Sequence, residues 1–462
     1  MQTARLPYSE DSASCFAAWM HRKGAVLLDS GAPYIQKGRY DIFSYEPHCT
    51  LTTRGLRTLV QCAGREDIIQ DQDPFDLVRQ ALGEPLPPAL HPFIGGAIGY
   101  FSYDLSRNIE CIQDSRDEKE PLPSMVVGIY DWAVIVDHVA RETWLVSAMR
   151  HEATRAIWPQ LIRQFSAAPH PPAAITPSFR LTGPVTGNMT REQYTQAFDR
   201  IQQYIREGDC YQINFAQRFT APCEGNAWIL YAQLRQLNPA PFGAFLNTSD
   251  AQILCSSPER FLLLKEGQVE TKPIKGTRPR SSHPDTDAAL AATLMKSDKD
   301  RSENLMIVDL LRNDLGKDCR PGSIQVPGLF ELESYASVHH MVSTVTGHLL
   351  ENRDALHLLR NSFPGGSITG APKIRAMEII AELEPHHRSI YCGSIGYISH
   401  DGSMDSNIAI RTLVHSHGSM RCWAGGGIVA DSVAQQEYEE CFHKAAPLLE
   451  IMNRFMEKTE RP

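Results

Sequence analysis

Residues 395–414 read IGYISHDGSMDSNIAIRTLV, with apolar runs at 395–398 and 407–414 on either side of Asp401-Gly402. Asp-Gly tolerates the left-handed backbone that a tight hairpin turn demands, so the two runs read as antiparallel neighbours. Working outward, Tyr211, Ile213 and Phe215 alternate with Gln212, Asn214 and Ala216, the period of two that marks a strand. Just before it, Thr190-Arg-Glu-Gln193 is a capping box that opens a helix. Tyr194, Phe198, Ile201 and Ile205 fall on one face of that helix, and Gly208 ends it. Short apolar runs at 25–28 and 132–136, bounded by Gly, Pro and Asp, make the amino-terminal third strand-rich. There is no internal repeat of about 20–50 residues, and strands and helices do not alternate as a TIM barrel requires. The class read from the residues is α+β, with sheets inside and helices outside.

One composition shift divides the chain. The stretch AAPHPPAAITP at residues 167–177 concentrates proline and carries no formal charge, which reads as an irregular connection. The expected organisation is an amino-terminal region 1–166, a connection 167–187 and a second region 188–455. The 462 residues carry 45 basic and 54 acidic side chains, a net charge of −9. The positive field that drives non-specific nucleic-acid binding is therefore missing. Eleven scattered cysteines, with no C-x-x-C, predict reduced thiols in a cytosol and no thiolate zinc site. The most apolar stretch, 125–140, is cut by Asp131 and Asp137, and the first residues lack an apolar leader, so neither membrane insertion nor secretion is expected.

Several constellations can carry chemistry. Asp300 with Glu303, and Glu437 with Glu440, stand three apart ahead of apolar helical runs, which puts each pair on one helix face. Two such faces brought together suit Mg²⁺; separately, first-turn acids merely complement the helix dipole. The segment 363–373, FPGGSITGAPK, leads into a helix over 374–383, and amides at such a start bind anions. Ala371-Pro372 stands where a Walker A loop needs Lys-Ser/Thr, which excludes a nucleoside triphosphate site. Gly425-Gly426-Gly427 permits either close approach of a ligand or a tight turn. Lys275, between Pro273 and Pro279, is by base rate a surface lysine; desolvated, it would be an amine nucleophile. Glu259 could exchange protons with a leaving group, and His340 is either a further acid/base group or a hydrogen-bonded structural histidine. Arg411, read as part of an apolar strand 408–413, needs an anion if it points inward. Cys210 sits in a strand and not on a nucleophile elbow, so no glutaminase is read in the chain.

Taken in order, Ser257-Pro-Glu-Arg260, Pro273-Ile-Lys-Gly-Thr277, Asp300-Arg-Ser-Glu-Asn304, Asp309-Leu-Leu-Arg-Asn-Asp314, the 364–373 loop and Ala424-Gly-Gly-Gly-Ile-Val429 resemble the chorismate-utilising enzyme family. The likeness runs through residues 188–450 and extends upstream through Arg39-Tyr-Asp41 and Ile129-Tyr-Asp-Trp132. It implies two large antiparallel β-sheets packed as a sandwich, helices outside, with the active site between them. Within the family the chain resembles the members that place ammonia on C4 of chorismate to give 4-amino-4-deoxychorismate, on the way to para-aminobenzoate and folate. These draw ammonia from glutamine through a separate amidotransferase subunit, in a heterodimer.

The resemblance assigns roles. Glu303 and Glu440 would hold Mg²⁺, with Asp300 and Glu437 assisting through water. Arg411, Lys444, Thr369 and Gly426 would bind substrate carboxylates. Lys275 would attack the ring as the C4 hydroxyl leaves, with Glu259 as its proton donor. Anthranilate synthases, otherwise similar here, carry a small residue in place of Lys275, and isochorismate and salicylate synthases use a lysine base that matches Gln212. A silent chorismate- or tryptophan-binding partner is the alternative from a different class. Ser30, Lys37, Gly38, Arg39, Tyr40, Pro241, Phe242 and Gly243 match a tryptophan pocket of the family, or else line an ordinary interior seam.

Overall fold

The computed structural model describes all residues except 36–37, 63, 114–115, 117–120, 168–177, 336–337 and 457–462. Lys37 and most of the proline-rich stretch lie outside the described residues. Among the described residues the strands form two sheets, of thirteen and twelve strands, and every strand pair within them is antiparallel.

The first sheet runs Gln2–Leu6, Glu142–Ser147, Trp132–Asp137, Tyr40–Ser44, Val26–Asp29, Phe242–Asn247, Gln252–Ser257, Thr412–Ser416, Ser419–Ile428, Gln212–Gly225 and Phe179–Leu181. The second runs Ile274–Pro279, Val338–His348, Gln268–Thr271, Arg260–Lys265, Met404–Asn407, Ser394–Ser399, Gly96–Phe101, Met125–Tyr130, Cys49–Arg54, Arg57–Cys62 and Arg65–Gln70. Strands from both sides of residues 167–187 thus share both sheets.

Alternation along the first sheet sorts its side chains onto two apolar cores. Val26, Ile42, Leu246, Ile253 and Val414 face the seam between the sheets. Their neighbours Leu27, Phe43, Phe245, Leu254 and Leu413 face outward onto a second core, which Leu448, Ile451 and Met452 of the helix Ala434–Arg454 help to close. The helix Arg191–Glu207 has the expected ends: Thr190 and Gln193 form the capping box, and Gly208 closes it at φ 83°.

The hairpin that decided the class is present, with Gly396 opposite Ser406, Tyr397 opposite Asp405 and Ile398 opposite Met404. Its second arm differs from the expectation. The strand ends at Asn407, residues 408–411 cross from the second sheet to the first, and a new strand starts at Thr412. Arg411 therefore lies in a crossover, with φ 50°, and not in a strand. Burial on all sides made this apolar stretch read as continuous strand. Gly425, Gly426 and Gly427 are likewise strand residues and not a turn, paired with Ala216, Phe215 and Asn214. Gln212 and Asn214 are buried although they are polar, because this end of the strand is covered on both faces, while Tyr211, 69% exposed, lies just before it. Reduced thiols were expected throughout, yet Cys49 and Cys62 are joined by a disulfide. Antiparallel register sets the two residues opposite each other. No described helix is long and apolar enough to cross a membrane.

Candidate active site

The chain passes between the sheets twice at one place, and the candidate site is built there. Pro258-Glu259 joins Gln252–Ser257 of the first sheet to Arg260–Lys265 of the second, while 408–411 makes the reverse crossing. The crossovers are tied together: the Ile408 amide donates to the Glu259 carbonyl at 3.1 Å, and Ser257 Oγ donates to the Ile408 carbonyl at 2.6 Å. Glu259 is buried at this junction. Its carboxyl group accepts from the Ser367 hydroxyl and the Ile274 amide.

Lys275, half-buried on Ile274–Pro279, donates from Nζ to the Ser367 carbonyl at 2.8 Å. Ser367 thus touches both the amine and the acid. The next residue, Gly276, has φ 77° at an irregularity in the strand, and a Cβ there would lie 3.0 Å from Asp300 Cβ. That close approach brings the first turn of the helix Asp298–Gly316 against the lysine strand.

Burial lowers the Lys275 pKa from its ordinary value, opposed by the negative charges of Glu303 and Glu259. Burial raises that of Glu259, opposed by the Ser367 hydrogen bond and the charge on Lys275. For both groups the loss of water outweighs the attraction of the partner, so each is pushed toward its neutral form.

His340 lies across the strand from Thr277, with Nδ1 2.8 Å from Thr277 Oγ1 and a hydrogen bond to the Gly276 backbone. Burial and the nearby Arg411 charge push its pKa down to about 4, so it is a neutral imidazole at pH 7. Arg411 is depressed by burial alone. Its Nη1 reaches Asn238 Oδ1 at 3.3 Å, and no acidic partner is seen among the described residues. An anion is what such a guanidinium lacks. The Thr369 hydroxyl is turned into its own loop, donating to the Gly365 and Gly366 carbonyls at 3.1 and 3.3 Å.

The four carboxylates come from two helices, Asp300 and Glu303 from Asp298–Gly316, Glu437 and Glu440 from Ala434–Arg454. Basic groups lie between them. Lys444 pairs with Glu440 at 2.6 Å and donates to the Gly425 carbonyl at 3.0 Å; Lys299 reaches Glu437 at 3.5 Å; Arg278 reaches Asp300 at 3.0 Å. Burial raises the Glu303 pKa, whereas Lys444 holds that of Glu440 below its ordinary value against burial. Gly426 faces the second pair, and a Cβ there would lie 3.0 Å from Glu437 Oε2 and 3.2 Å from Glu440 Oε1.

Among the described residues no three acidic, histidine or cysteine side chains stand close enough together to hold a metal ion. Glu437 Oε2 is nonetheless buried without a hydrogen-bond partner. A buried, unsatisfied carboxylate oxygen beside a second carboxylate fits a hard divalent cation.

A separate cavity of about 180 Å³ lies between the sheets. Ser30, Gly38, Arg39, Tyr40, Pro241, Phe242 and Gly243 line it, joined by Leu28, Asp29, Tyr397 and Asn407. On its wall Arg260 binds Asp405 with two hydrogen bonds of 3.0 Å and Glu270 with one of 2.8 Å.

Sequence reasoning missed Ser367, Lys299 and Arg278. Ser367 was legible as the hydroxyl inside the quoted glycine-rich loop. The two bases were indistinguishable from ordinary surface charge.

The chain is similar to known proteins over nearly its whole length. It is 47% identical over 449 residues to aminodeoxychorismate synthase component 1 of Klebsiella aerogenes, covering 96% of this chain and 97% of that one. It is 46% identical over 454 residues to the Escherichia coli (strain K12) protein of the same name, covering 97% and 98%. Among solved structures, anthranilate synthase component I from Streptococcus pneumoniae TIGR4 superposes with a TM-score of 0.80 at 31% identity, over 89% of this chain and 92% of that one. The profile of the chorismate binding enzymes matches residues 27–450. Both crossovers, the lysine and all four carboxylates fall inside that span, and the chain belongs to the chorismate binding enzyme family.

Proposed function

We infer that the protein aminates chorismate at C4 with ammonia, forming 4-amino-4-deoxychorismate, as its 46–47% identity to proteins named for that synthesis supports. The observation that carries the chemistry is Lys275 and Glu259 bridged by Ser367. Lys275 Nζ forms a bond to the ring as the C4–O bond breaks, and Glu259 gives its proton to the departing oxygen, releasing water. Ammonia then bonds to C4 as the Lys275 C–N bond breaks, which returns the amine, and the new C4 ammonium group gives a proton back to the Glu259 carboxylate. Two displacements replace one difficult substitution.

Arg411 and Lys444, with amides near Thr369 and Gly426, take the substrate carboxylates, and His340 stays a neutral hydrogen-bonding or proton-accepting group. Glu303 and Glu440, helped by Asp300 and Glu437, would hold Mg²⁺, which supplies positive charge toward a substrate carboxylate when bound. The ammonia comes from glutamine through a separate amidotransferase subunit, in keeping with relatives named as component 1.

The test is product identification by mass spectrometry from purified protein, chorismate, Mg²⁺ and an ammonium salt. Aminodeoxychorismate is expected. Anthranilate would move the chain to the other amination chemistry, and unconsumed chorismate would favour a silent binder.

The first two glycines of the run 425–427 separate metal binding from folding. Gly426→Ala crowds Glu437 and Glu440 and is expected to raise the Mg²⁺ concentration for half-maximal activity by about tenfold, the lower end of what disturbing a metal's surroundings costs. Circular dichroism should stay unchanged. Gly425→Ala would put a Cβ 2.2 Å from the Phe215 carbonyl oxygen, so that variant should fail to fold. Equal Mg²⁺ dependence in Gly426→Ala and the parent enzyme would withdraw the carboxylate assignment.

The cavity between the sheets takes tryptophan in this reading. L-tryptophan at a hundred times its dissociation constant should stabilise the fold by about 2.7 kcal/mol. Leu28→Trp, whose own indole fills the space, should lose that response. Absence of any shift in the unsubstituted protein would leave the cavity an interior seam.

A further inference from the structure

Behind the active-site loop lies a buried ion pair with no contact to the reacting centre. Arg388 is 0% exposed, and its guanidinium holds Glu384 through Nε at 2.9 Å and Nη2 at 2.6 Å. The other Glu384 partner is the Ala216 amide at 2.9 Å, on the long strand Gln212–Gly225. Arg388 Nη2 also donates to the Asn214 carbonyl, and Nη1 donates to the Ile368 carbonyl at 2.9 Å. The Ile368 oxygen takes a second hydrogen bond, from Asn214 Nδ2 at 2.8 Å, while the Asn214 amide donates to the Thr369 carbonyl at 2.8 Å. Ile368 stands between Ser367, which holds Lys275 and Glu259, and Thr369.

We propose that Arg388 is a positioning residue for the reaction: with Glu384 and Asn214 it fixes the Ile368 carbonyl, and through that peptide sets the reach of Ser367 to the Lys275 amine and the Glu259 carboxyl. The proposal rests on the aminating function inferred above. Two lines support it. A buried ion pair adds little to stability relative to apolar residues of the same volume, so stability alone does not account for this one. Beyond the loop the pairing of Gly370-Ala371 with Gln212 and Ile213 fixes the chain, but Ile368 itself lies in a short 3-10 turn over Gly366–Ile368, where its carbonyl is held by these donors. A displacement of about 1 Å at a reacting group costs roughly a hundredfold in rate, which makes two donors on one carbonyl consequential.

The experiment compares Arg388→Met/Glu384→Leu, Arg388→Lys and Asn214→Ala with the parent enzyme, using chorismate, Mg²⁺ and ammonium. Unfolding temperature is measured alongside kcat, KM for chorismate and the rate of adduct formation on Lys275. The paired apolar change removes both charges together and is expected to stay folded with kcat down about a hundredfold and KM little changed. Arg388→Lys keeps the charge toward Glu384 but cannot span Ile368 and Asn214 together, and Asn214→Ala removes only the second donor; each is expected to slow adduct formation about tenfold. A folded variant of any of the three with parental kcat and parental adduct rate would overturn the proposal. Lys275→Ala serves as the reference. If it is fully active, the aminating mechanism itself is wrong; if it is inactive while the Arg388 and Asn214 variants run at parental speed, only the positioning role fails.

Discussion

Lys275→Ala is expected to lower kcat for aminodeoxychorismate formation by at least about a thousandfold, the scale of losing a group that acts in the bond-making step. KM for chorismate should change little, because Arg411 and the carboxylate-bearing helices remain. The variant should also lose the chorismate-derived mass that the parent enzyme carries on this residue in single-turnover trapping. The reason lies in two opposed influences on the amine. Burial lowers its pKa, and the charges of Glu303 and Glu259 hold it up. The net lowering enlarges the neutral fraction near pH 7, and adduct formation should rise with pH through that depressed value. The side chain is positioned without being neutralised by an ion pair, since its hydrogen bond goes to the uncharged Ser367 carbonyl. Lys275→Arg is expected to be as inactive as the alanine variant, because a guanidinium stays protonated. Parental activity in either variant, with the adduct still present, would remove Lys275 from the mechanism.

The parts legible in the sequence were those set by local periodicity. The capping box at Thr190 and Gln193, the turn at Asp401-Gly402 and the helix after Lys373 depend on a few consecutive residues, and all stand in the structure. The break at 408–411 was not legible, because Ile408, Ala409 and Ile410 are apolar for a reason unrelated to strand pairing: they pass through the interior from one sheet to the other. Nor was the disulfide, since only register tells that Cys49 faces Cys62.

The site divides in the same way. Lys275, Glu259, Lys444 and the carboxylates could be named from the sequence, whereas Lys299 and Arg278, the other bases between those carboxylates, could not. Lys299 meets Glu437 across 138 positions, and Arg388 meets the Asn214 carbonyl across 174. Such meetings belong to the packing of helices on sheets and leave no local trace.

Glu259→Gln is expected to lower kcat about 10²–10⁴-fold, the range for losing a general acid, and to change the shape of the pH profile. Lys275 and Glu259 share one proton in their working state, either as ammonium and carboxylate or as amine and carboxylic acid. The second arrangement is the reactive one, because it offers a nucleophile and a proton donor together. Burial favours it from both sides, raising the Glu259 pKa and lowering that of Lys275. With two protons on the pair there is no nucleophile, and with none there is no acid. The parent profile should therefore be bell-shaped, with limbs that belong to the pair and not to either residue. In Glu259→Gln the alkaline limb should vanish, for no acid remains to be lost. The acid limb should stay at its parental position or move slightly to higher pH, since below it Glu259 is already protonated and carries no charge that could hold the lysine pKa up. The measurement is kcat/KM for chorismate against pH, with free ammonia held constant by adjusting total ammonium. A glutamine variant that keeps the parental rate and both limbs would show that the leaving hydroxyl takes its proton from another group.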